Sequence, residues 1–405
     1  MAVVSFSAFP GDPRPRRAAE ACAAAGMQVD VICLRDEGNS KRESFAGIEV
    51  DRVSIRKSRS SMLWYVLQYF QFLAIVFLKL SARSITRRYD VVHVHNMPDV
   101  LVFAAVVPKL LGAKVILDLH DPMPELMMTI FGSQRDGRVV RWMTILERWS
   151  IAFADTVITV NRACEKLFAA RAGRAEDIHV VMNSPDESIF RFVPVRDDGQ
   201  RNTSTAQPFV LMYHGTLVER NGLDLAVEAI AKLRQSVPNV QLRVYGKRTP
   251  FLDEVMQFVA GEGLDDHVTC HGHKRLEELS EAISECDVGV IPNKRSIFTE
   301  INTPTRIFEY LAKGKPVVAP RSGGIQDYFD DEALVYFELG DAGQLAEKLN
   351  WVANNPGEVL RVVQRGQAVY LDHTWSEEKA RLLGLVSSLL RNKKSRPHGQ
   401  LEEND

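Results

Sequence analysis

Residues 286–324 read CDVGVIPNKRSIFTEINTPTRIFEYLAKGKPVVAPRSGG, and the order of elements within them decides the fold. An apolar strand leads into a polar loop, a short helix, a glycine and a second apolar strand, the pattern of a parallel βαβ unit. Thr303 can cap the helix, Pro304 suits its first position, and Gly314 suits its end. A helix that opens at the carboxyl end of a strand offers free N–H groups and a positive dipole end, a place for an anion such as phosphate. Arg306 falls in the first turn, where a cation opposes the dipole, so an anionic partner is expected for it. Glu309, one turn on, can accept hydrogen bonds from hydroxyls. A diphosphate next to a diol is what a nucleotide-sugar presents.

The same rhythm runs outward in both directions. Strands are expected at Val3–Ser7, Gln28–Leu34, Val91–His95, Lys114–Leu119 and Thr156–Val160, with helical patterns between them. A second series is expected at Phe209–Tyr213, Val240–Tyr245, His267–Cys270, Asp287–Ile291, Pro316–Pro320 and Ala333–Phe337. Alternation of this kind predicts an α/β protein with two Rossmann-like, doubly wound parallel-sheet domains facing across a cleft. The expected division is 1–190 for the first, acceptor-side domain, 191–208 for a linker, and 209–374 for the domain that binds the nucleotide-sugar. A helix at 375–391 follows, then a charged tail at 392–405 that lacks apolar periodicity and reads as disordered.

A chain of 405 residues with 45% hydrophobic and 25% charged residues has enough apolar content for two cores. Its net charge of −2 and the lack of a basic stripe with interleaved aromatics argue against nucleic-acid binding. Five scattered cysteines with no C-x-x-C read as reduced thiols of a cytoplasmic protein, and MAVVSFSAF reads as a strand, not a signal peptide. The segment Met62–Leu80 approaches the length and apolarity of a membrane span. A narrow polar stripe of Gln68, Gln71 and Lys79, and a strand that follows within a few residues, oppose spanning. Flanking arginines and Lys57 suit an anionic membrane surface, while burial against the sheet is the alternative.

Several turns at strand ends carry candidate chemistry. Gly215 and Thr216 close one strand, with Arg220 nearby as a phosphate ligand or a solvated cation. Gly246 with Lys247, and Gly272 with His273, repeat the pattern, and all would share one sheet edge with Lys294, Asn302, Thr303, Arg306 and Glu309. In the first half, His120 and Asp121 end a strand and would face the cleft, unless they are a surface His and a capping Asp. The first loop, with Gly11, Asp12 and Arg14, lacks G-x-G-x-x-G; it attracts an anionic acceptor or is a solvated basic turn. No acidic or histidine cluster has ligand spacing, so neither a metal nor another cofactor is expected.

The series DPRPRRAAEACAAAGMQVDVI, YDVVHVHNMPD, LDLHDPMPE, YHGTLVERNGLDLAVEAI and TPTRIFEYLAKGKPVVAPRSGG, in this order over residues 3–390, resembles bacterial glycosyltransferase family 4. The resemblance implies the GT-B fold, a nucleotide-sugar donor held by the C-terminal domain, transfer with retention, no metal, and a C-terminal helix that crosses back to the first domain. Glu309 matches the second Glu of the family's E-x7-E motif, which holds the ribose, but the first falls on Ile301. Glu300, in a catalytic place if the loop is shifted, or Asn302 would substitute. The positions of the family's diphosphate-binding Arg and Lys are Thr216 and Asn221, so Arg220, Lys294 or Arg306 would supply the charge. His120 matches a His near the reacting sugar, and with Asp121 completes the catalytic candidates. The likeness implies an acceptor that is lipid-linked or a saccharide, and a setting in surface polysaccharide or glycolipid synthesis at the inner face of the plasma membrane. Two alternatives are a nucleotide-sugar epimerase on the same fold and a non-catalytic binder of nucleotide-sugar.

Overall fold

The computed structural model describes residues 1–36, 38–55, 62–131, 137–195 and 207–394. Most of the expected linker, the tail beyond Lys394 and the basic residues Arg56, Lys57 and Arg59 lie outside the described residues. The chain divides into two compact units, one of Met1–Met182 with Glu378–Asp405 and one of Asn183–Glu377. The divisions therefore fall at 182 and 377, not at the expected 190 and 374. Hydrogen bonds from Ser184 Oγ to His373 O and from Ser280 Oγ to Ile189 O tie the 183–190 segment into the second unit.

Unit 1 holds β1 (Ala2–Ala8), β2 (Asp30–Leu34), β3 (Arg42–Phe45), β4 (Ile48–Val53), β5 (Val91–His95), β6 (Lys114–Leu119), β7 (Thr156–Thr159) and β8 (Ile178–Val180). Their order in the sheet is β3-β4-β2-β1-β5-β6-β7-β8, parallel except for the β3–β4 hairpin. That hairpin was not expected from the sequence, since its turn residue Ala46 sits at φ 50°, a place usually filled by Gly, Asn or Asp. Alternate residues of the strands, among them Val3, Val31, Val91 and Ile116, form a core with Ala19 and Cys22 of the Pro13–Ala24 helix. Leu382, Val386 and Leu389 complete that core; they belong to the final helix, Trp375–Lys394.

The Met62–Arg87 helix packs on β1 and on the Asp99–Ala105 turn. Phe72, Val76 and Leu80, four residues apart, are fully buried. Most of the polar residues lie on this same inner side, with Gln71 left exposed. Gln68 is buried, Lys79 Nζ donates to both oxygens of Asp51 at 2.8 and 2.7 Å, Arg83 also pairs with Asp51, and Arg87 reaches Asp30 at 3.0 Å. Gln68 and Lys79 of the polar stripe thus face the protein, where buried carboxylates of β2 and β4 meet the helix, and the outer side is apolar apart from the exposed Gln71. A helix tied along its length to its own sheet is not arranged as a span.

Unit 2 holds β9 (Phe209–His214), β10 (Val240–Tyr245), β11 (Val268–Cys270), β12 (Val288–Val290), β13 (Val317–Arg321) and β14 (Val335–Glu338). The order β11-β10-β9-β12-β13-β14 is all parallel. All six match expected strands. The order reverses between β9 and β12, which leaves a topological switch point at the carboxyl ends of these two strands. Unit 1 has the equivalent switch between β1 and β5.

Candidate active site

The switch point of unit 2 is built around the Thr305–Ala312 helix. Gly289 in β12 lets that helix come close, because a Cβ there would meet the Tyr310 ring at 2.2 Å. Tyr310 fills the space and donates to Met212 O at 2.8 Å. The start of the helix differs from the expectation. Pro304 is the capping residue, without a side-chain cap bond, and Thr303 Oγ1 instead donates to Gly324 O at 2.6 Å. Thr303 thereby clamps the loop to the turn after β13 and leaves the first N–H groups of the helix uncapped by a side chain.

Arg306 bridges the two strand ends. Its NH1 donates to His214 O at 2.7 Å, its NH2 lies 3.5 Å from Asn293 Oδ1, and its guanidinium stands 4.9 Å above the Tyr213 ring. Gly215, at φ 129°, turns the chain over this side chain in a conformation that other residues avoid. Every hydrogen-bond acceptor of Arg306 is a neutral oxygen, and among the described residues no carboxylate is within ion-pair distance of it. Its positive charge is therefore left for an outside anion.

Lateral bonds align the expected glycine turns. Gly215 N donates to Tyr245 O at 3.0 Å, and Gly246 N to Gly272 O at 2.9 Å, so the ends of β9, β10 and β11 form one edge. Lys247 and His273 are exposed there. Thr216 presents its carbonyl inward, to Tyr213 Oη and Asn221 Nδ2. Arg220 stacks 5.9 Å from the Phe298 ring centre, and its carbonyl accepts from Lys294 N. Lys294 is already paired, 2.5 Å from Asp224 and 3.6 Å from Glu219. Burial works against its charge, but these carboxylates prevail and raise its pKa. Of the three candidate cations, Lys294 is thus neutralised within the fold.

Glu309 is mostly buried, with Oε2 3.2 Å from His214 Nε2. Burial, reinforced by Arg306, pushes His214 well below its ordinary pKa, so the imidazole is neutral. Ile301 occupies the place of the missing Glu. Glu300 lies at the rim, 3.0 Å from Arg295 NH1, and Asn302 ends the short Ile297–Ile301 helix. The loop shift that would bring Glu300 inward is opposed by the Ser296–Thr299 capping box and by the tight approach of residue 301 to Gly324.

The corresponding edge of unit 1 is differently built. Asp12 caps the Pro13–Ala24 helix, accepting from Arg14 N, and Gly11 is exposed beside it. Arg14, expected to meet an acceptor, is turned inward. Its Nε donates to both oxygens of Asp118 at 3.0 Å and its NH2 to one at 2.7 Å, while NH1 reaches Val181 O. Register explains the cluster that forms around this pair. His95 stands beside Asp118 and His93 beside Ile116, all on the face that carries the helix of Arg14.

His93, His95 and Asp118 bring one donor atom each within 4.8 Å, the geometry of a ligand group, contrary to the expectation that no such cluster exists. Sequence reading missed it because the V-H-V-H alternation points both histidines to one face, but Asp118 joins them only through strand pairing. Arg14 already neutralises that carboxylate and faces the same space with its own charge, an unfavourable partner for a cation. Burial acts to raise the Asp118 pKa, but Arg14 and the imidazoles outweigh it and hold it well below its ordinary value.

His120 extends the cluster to the strand end. Its backbone N–H donates to Asn96 Oδ1 at 2.8 Å, and Asn96 Nδ2 donates in turn to Asp121 O at 3.1 Å. Its Nε2 lies 3.0 Å from His95 Nδ1, which is 3.2 Å from Asp118 Oδ2. A proton on His95 Nδ1 satisfies both neighbours; a bare nitrogen there would turn its lone pair on the carboxylate. His120 therefore accepts at Nε2 and carries its proton at Nδ1. Burial lowers its pKa well below the ordinary value, so this neutral form is the one present.

Comparison with known proteins agrees with this architecture. Residues 12–184 match the family described as Glycosyl transferase 4-like domain, and residues 208–355 match Glycosyl transferases group 1. The chain is a family 4 glycosyltransferase. This glycosyltransferase is an enzyme of the hexosyltransferase type and transfers a sugar from a nucleotide-sugar. It is 26% identical over 241 residues to the GDP-mannose-dependent alpha-(1-6)-phosphatidylinositol monomannoside mannosyltransferase of Mycolicibacterium smegmatis, covering 58% of this chain and 62% of that one. It is 24% identical over 217 residues to the amylovoran biosynthesis glycosyltransferase AmsK of Erwinia amylovora, covering 53% and 51%. The crystal structure of Anabaena HepE in complex with UDP-glucose superposes with a TM-score of 0.70 at 17% identity, covering 96% of this chain and 99% of that one, and the fold is GT-B.

Proposed function

We propose that the glycosyltransferase binds the diphosphate of its donor at the switch point between β9 and β12, and transfers the sugar with retention to a hydroxyl. The observation that carries this reading is Arg306, a cation at two strand ends with only neutral acceptors. Arg306, Arg220 and the first N–H groups of the Thr305–Ala312 helix stabilise the charge that develops on the departing diphosphate. Glu309 accepts from the ribose hydroxyls, with neutral His214 behind it. Gly246, Lys247, Gly272, His273 and Asn302 line the same edge as secondary donor contacts. His120 donates from Nδ1 to a hydroxyl of the reacting partners and positions it, with Asp121 beside it and Gly11 and Asp12 on the acceptor side. The chemistry uses no metal; Arg306 does the work of charge neutralisation. Attack from the face that the diphosphate leaves, with a phosphate oxygen taking the acceptor's proton, gives retention without a carboxylate nucleophile.

The acceptor in this reading is a lipid-linked or polysaccharide intermediate at the cytoplasmic face of the plasma membrane. The names of the two curated relatives, one acting on a phosphatidylinositol mannoside and one in amylovoran synthesis, support that class of acceptor. A thermal-shift panel of nucleotide-sugars tests the donor assignment. A preferred donor at a hundred times its Kd adds about 2.7 kcal/mol of stability. The anomeric coupling of the product by NMR tests retention. A panel without any shift, or an inverted anomer, would refute the corresponding part.

A further inference from the structure

We infer that one flank of unit 1 is a docking surface for an anionic lipid bilayer, formed by the outer sides of the Met62–Arg87 and Arg138–Phe153 helices. Both helices pack on the Asp99–Ala105 turn. The inner side of the first is held by Asp30 and Asp51, and its outer side carries Leu67, Phe70, Leu78 and Ile85 around the exposed Gln71, with Phe70 61% and Ile85 74% exposed. Only 22% of an 18-residue apolar window within Val66–Arg87 is buried. A soluble helix normally has the reverse arrangement.

The second helix supplies what a bilayer interface selects. Successive residues turn by about 100°, which places Trp142, Ile145 and Trp149 in one row. Trp142 is 61% and Trp149 56% exposed, large areas for rings that usually find cover. Arg138, Arg141 and Arg148 flank this row, all exposed and without an ion-pair partner among the described residues. The acid of the helix, Glu147, is fully buried against Arg171. The outer side therefore carries apolar rings and positive charge only. Indole rings and guanidinium groups fit the interfacial region of a bilayer, and the charge fits anionic headgroups. Pairing with a second copy would bring the same arginines against each other, which like charge opposes.

The inference deepens the membrane placement proposed above and rests on it. It is independent of donor binding, which is read without lipid. The experiment is sedimentation of the full chain with phosphatidylcholine vesicles, with and without phosphatidylglycerol. The wild type should bind the anionic vesicles and lose most of that binding at high salt. Trp142→Ala with Trp149→Ala should weaken it by about tenfold or more, since both rings leave the interface. Neutralising Arg138, Arg141 and Arg148 to Gln should remove the preference for the anionic lipid. Brominated lipid chains should quench tryptophan emission in the wild type and less in the double variant. The variants alter exposed side chains, and an unchanged thermal melt confirms their folding. No binding by the wild type, equal binding by the Trp variant, or absence of quenching would overturn the inference. So would a wild-type dimer that the Trp substitutions convert to monomer, which would assign the surface to a second copy.

Discussion

The two units are doubly wound sheets of the same kind, and each places an arginine at its switch point, yet the two arginines have opposite fates. Arg14 in unit 1 meets a carboxylate, Asp118, and both are nearly fully buried. Arg306 in unit 2 meets a backbone carbonyl and an amide oxygen. A guanidinium whose charge is cancelled inside the fold organises the structure around it. One whose charge is left uncancelled is available to a ligand. Residue type and place in the topology do not separate these roles; the charge of the nearest acceptor does.

The largest expected effect comes from breaking the buried pair. Asp118→Asn leaves Arg14 buried beside a neutral amide, and should cost about 3–5 kcal/mol of stability in denaturant unfolding. Donor affinity of the protein that remains folded should not change, because Arg14 has no part in holding the donor. A loss of donor affinity with unchanged stability would reverse the contrast between the two arginines.

Arg306→Gln tests the other side. It removes the charge but keeps a donor for His214 O, so stability should fall only by about 1 kcal/mol. Turnover should fall by about 100- to 1,000-fold in kcat/KM, the usual loss when one group that stabilises developing negative charge is removed. If Arg306→Gln unfolds the protein but spares turnover, Arg306 is a structural residue like Arg14.

Acid sharpens the comparison further. Burial and the neighbouring His95 depress His93 to about 4 from its ordinary 6.5. The unfolded chain then takes up the proton first, so stability rises with pH between these values and is lost as pH falls through them. The difference corresponds to about 3 kcal/mol for this one group. Asp118 acts in the same direction lower on the scale, since its depressed pKa gives stability above the ordinary carboxylate range that is lost in stronger acid. His93→Phe should therefore flatten the pH dependence of unfolding between about 4 and 6.5, while Glu147, raised by burial to about 8, works in the opposite direction within the same unit. An unchanged pH dependence in His93→Phe would mean that the cluster does not set it.

The parts that could be read in the sequence were those in which neighbours in the chain are also neighbours in space. The six strands of unit 2 and the glycine turns at 215, 246 and 272 follow from local alternation and spacing. The His93–His95–Asp118 group does not, because the register of β5 on β6 creates it. The inverted polarity of the Met62–Arg87 helix was hidden for the same reason. Lys79 and Arg87 find Asp51 and Asp30 on strands well before them, so Gln68 and Lys79 of the polar stripe turn toward the sheet while Gln71 stays exposed. Thr303 looked like a helix cap by local rules, and a carbonyl from a distant turn, Gly324, took its hydroxyl instead.

The smallest effect concerns the residue nearest to the gap in the family motif. Glu300 lies at the rim of unit 2 against Arg295, partly exposed, and such pairs contribute about 1 kcal/mol or less. Bringing it to the donor would mean undoing the Ser296 cap and drawing residue 301 off Gly324, against contacts that already hold the loop. Glu300→Gln should therefore change the KM for donor and kcat by no more than about twofold, well short of the effect of a transition-state group. A drop approaching that of Arg306→Gln would show that donor binding drags the 296–302 loop inward. The uncancelled charge at Arg306 would then be one half of a site that closes only around its ligand.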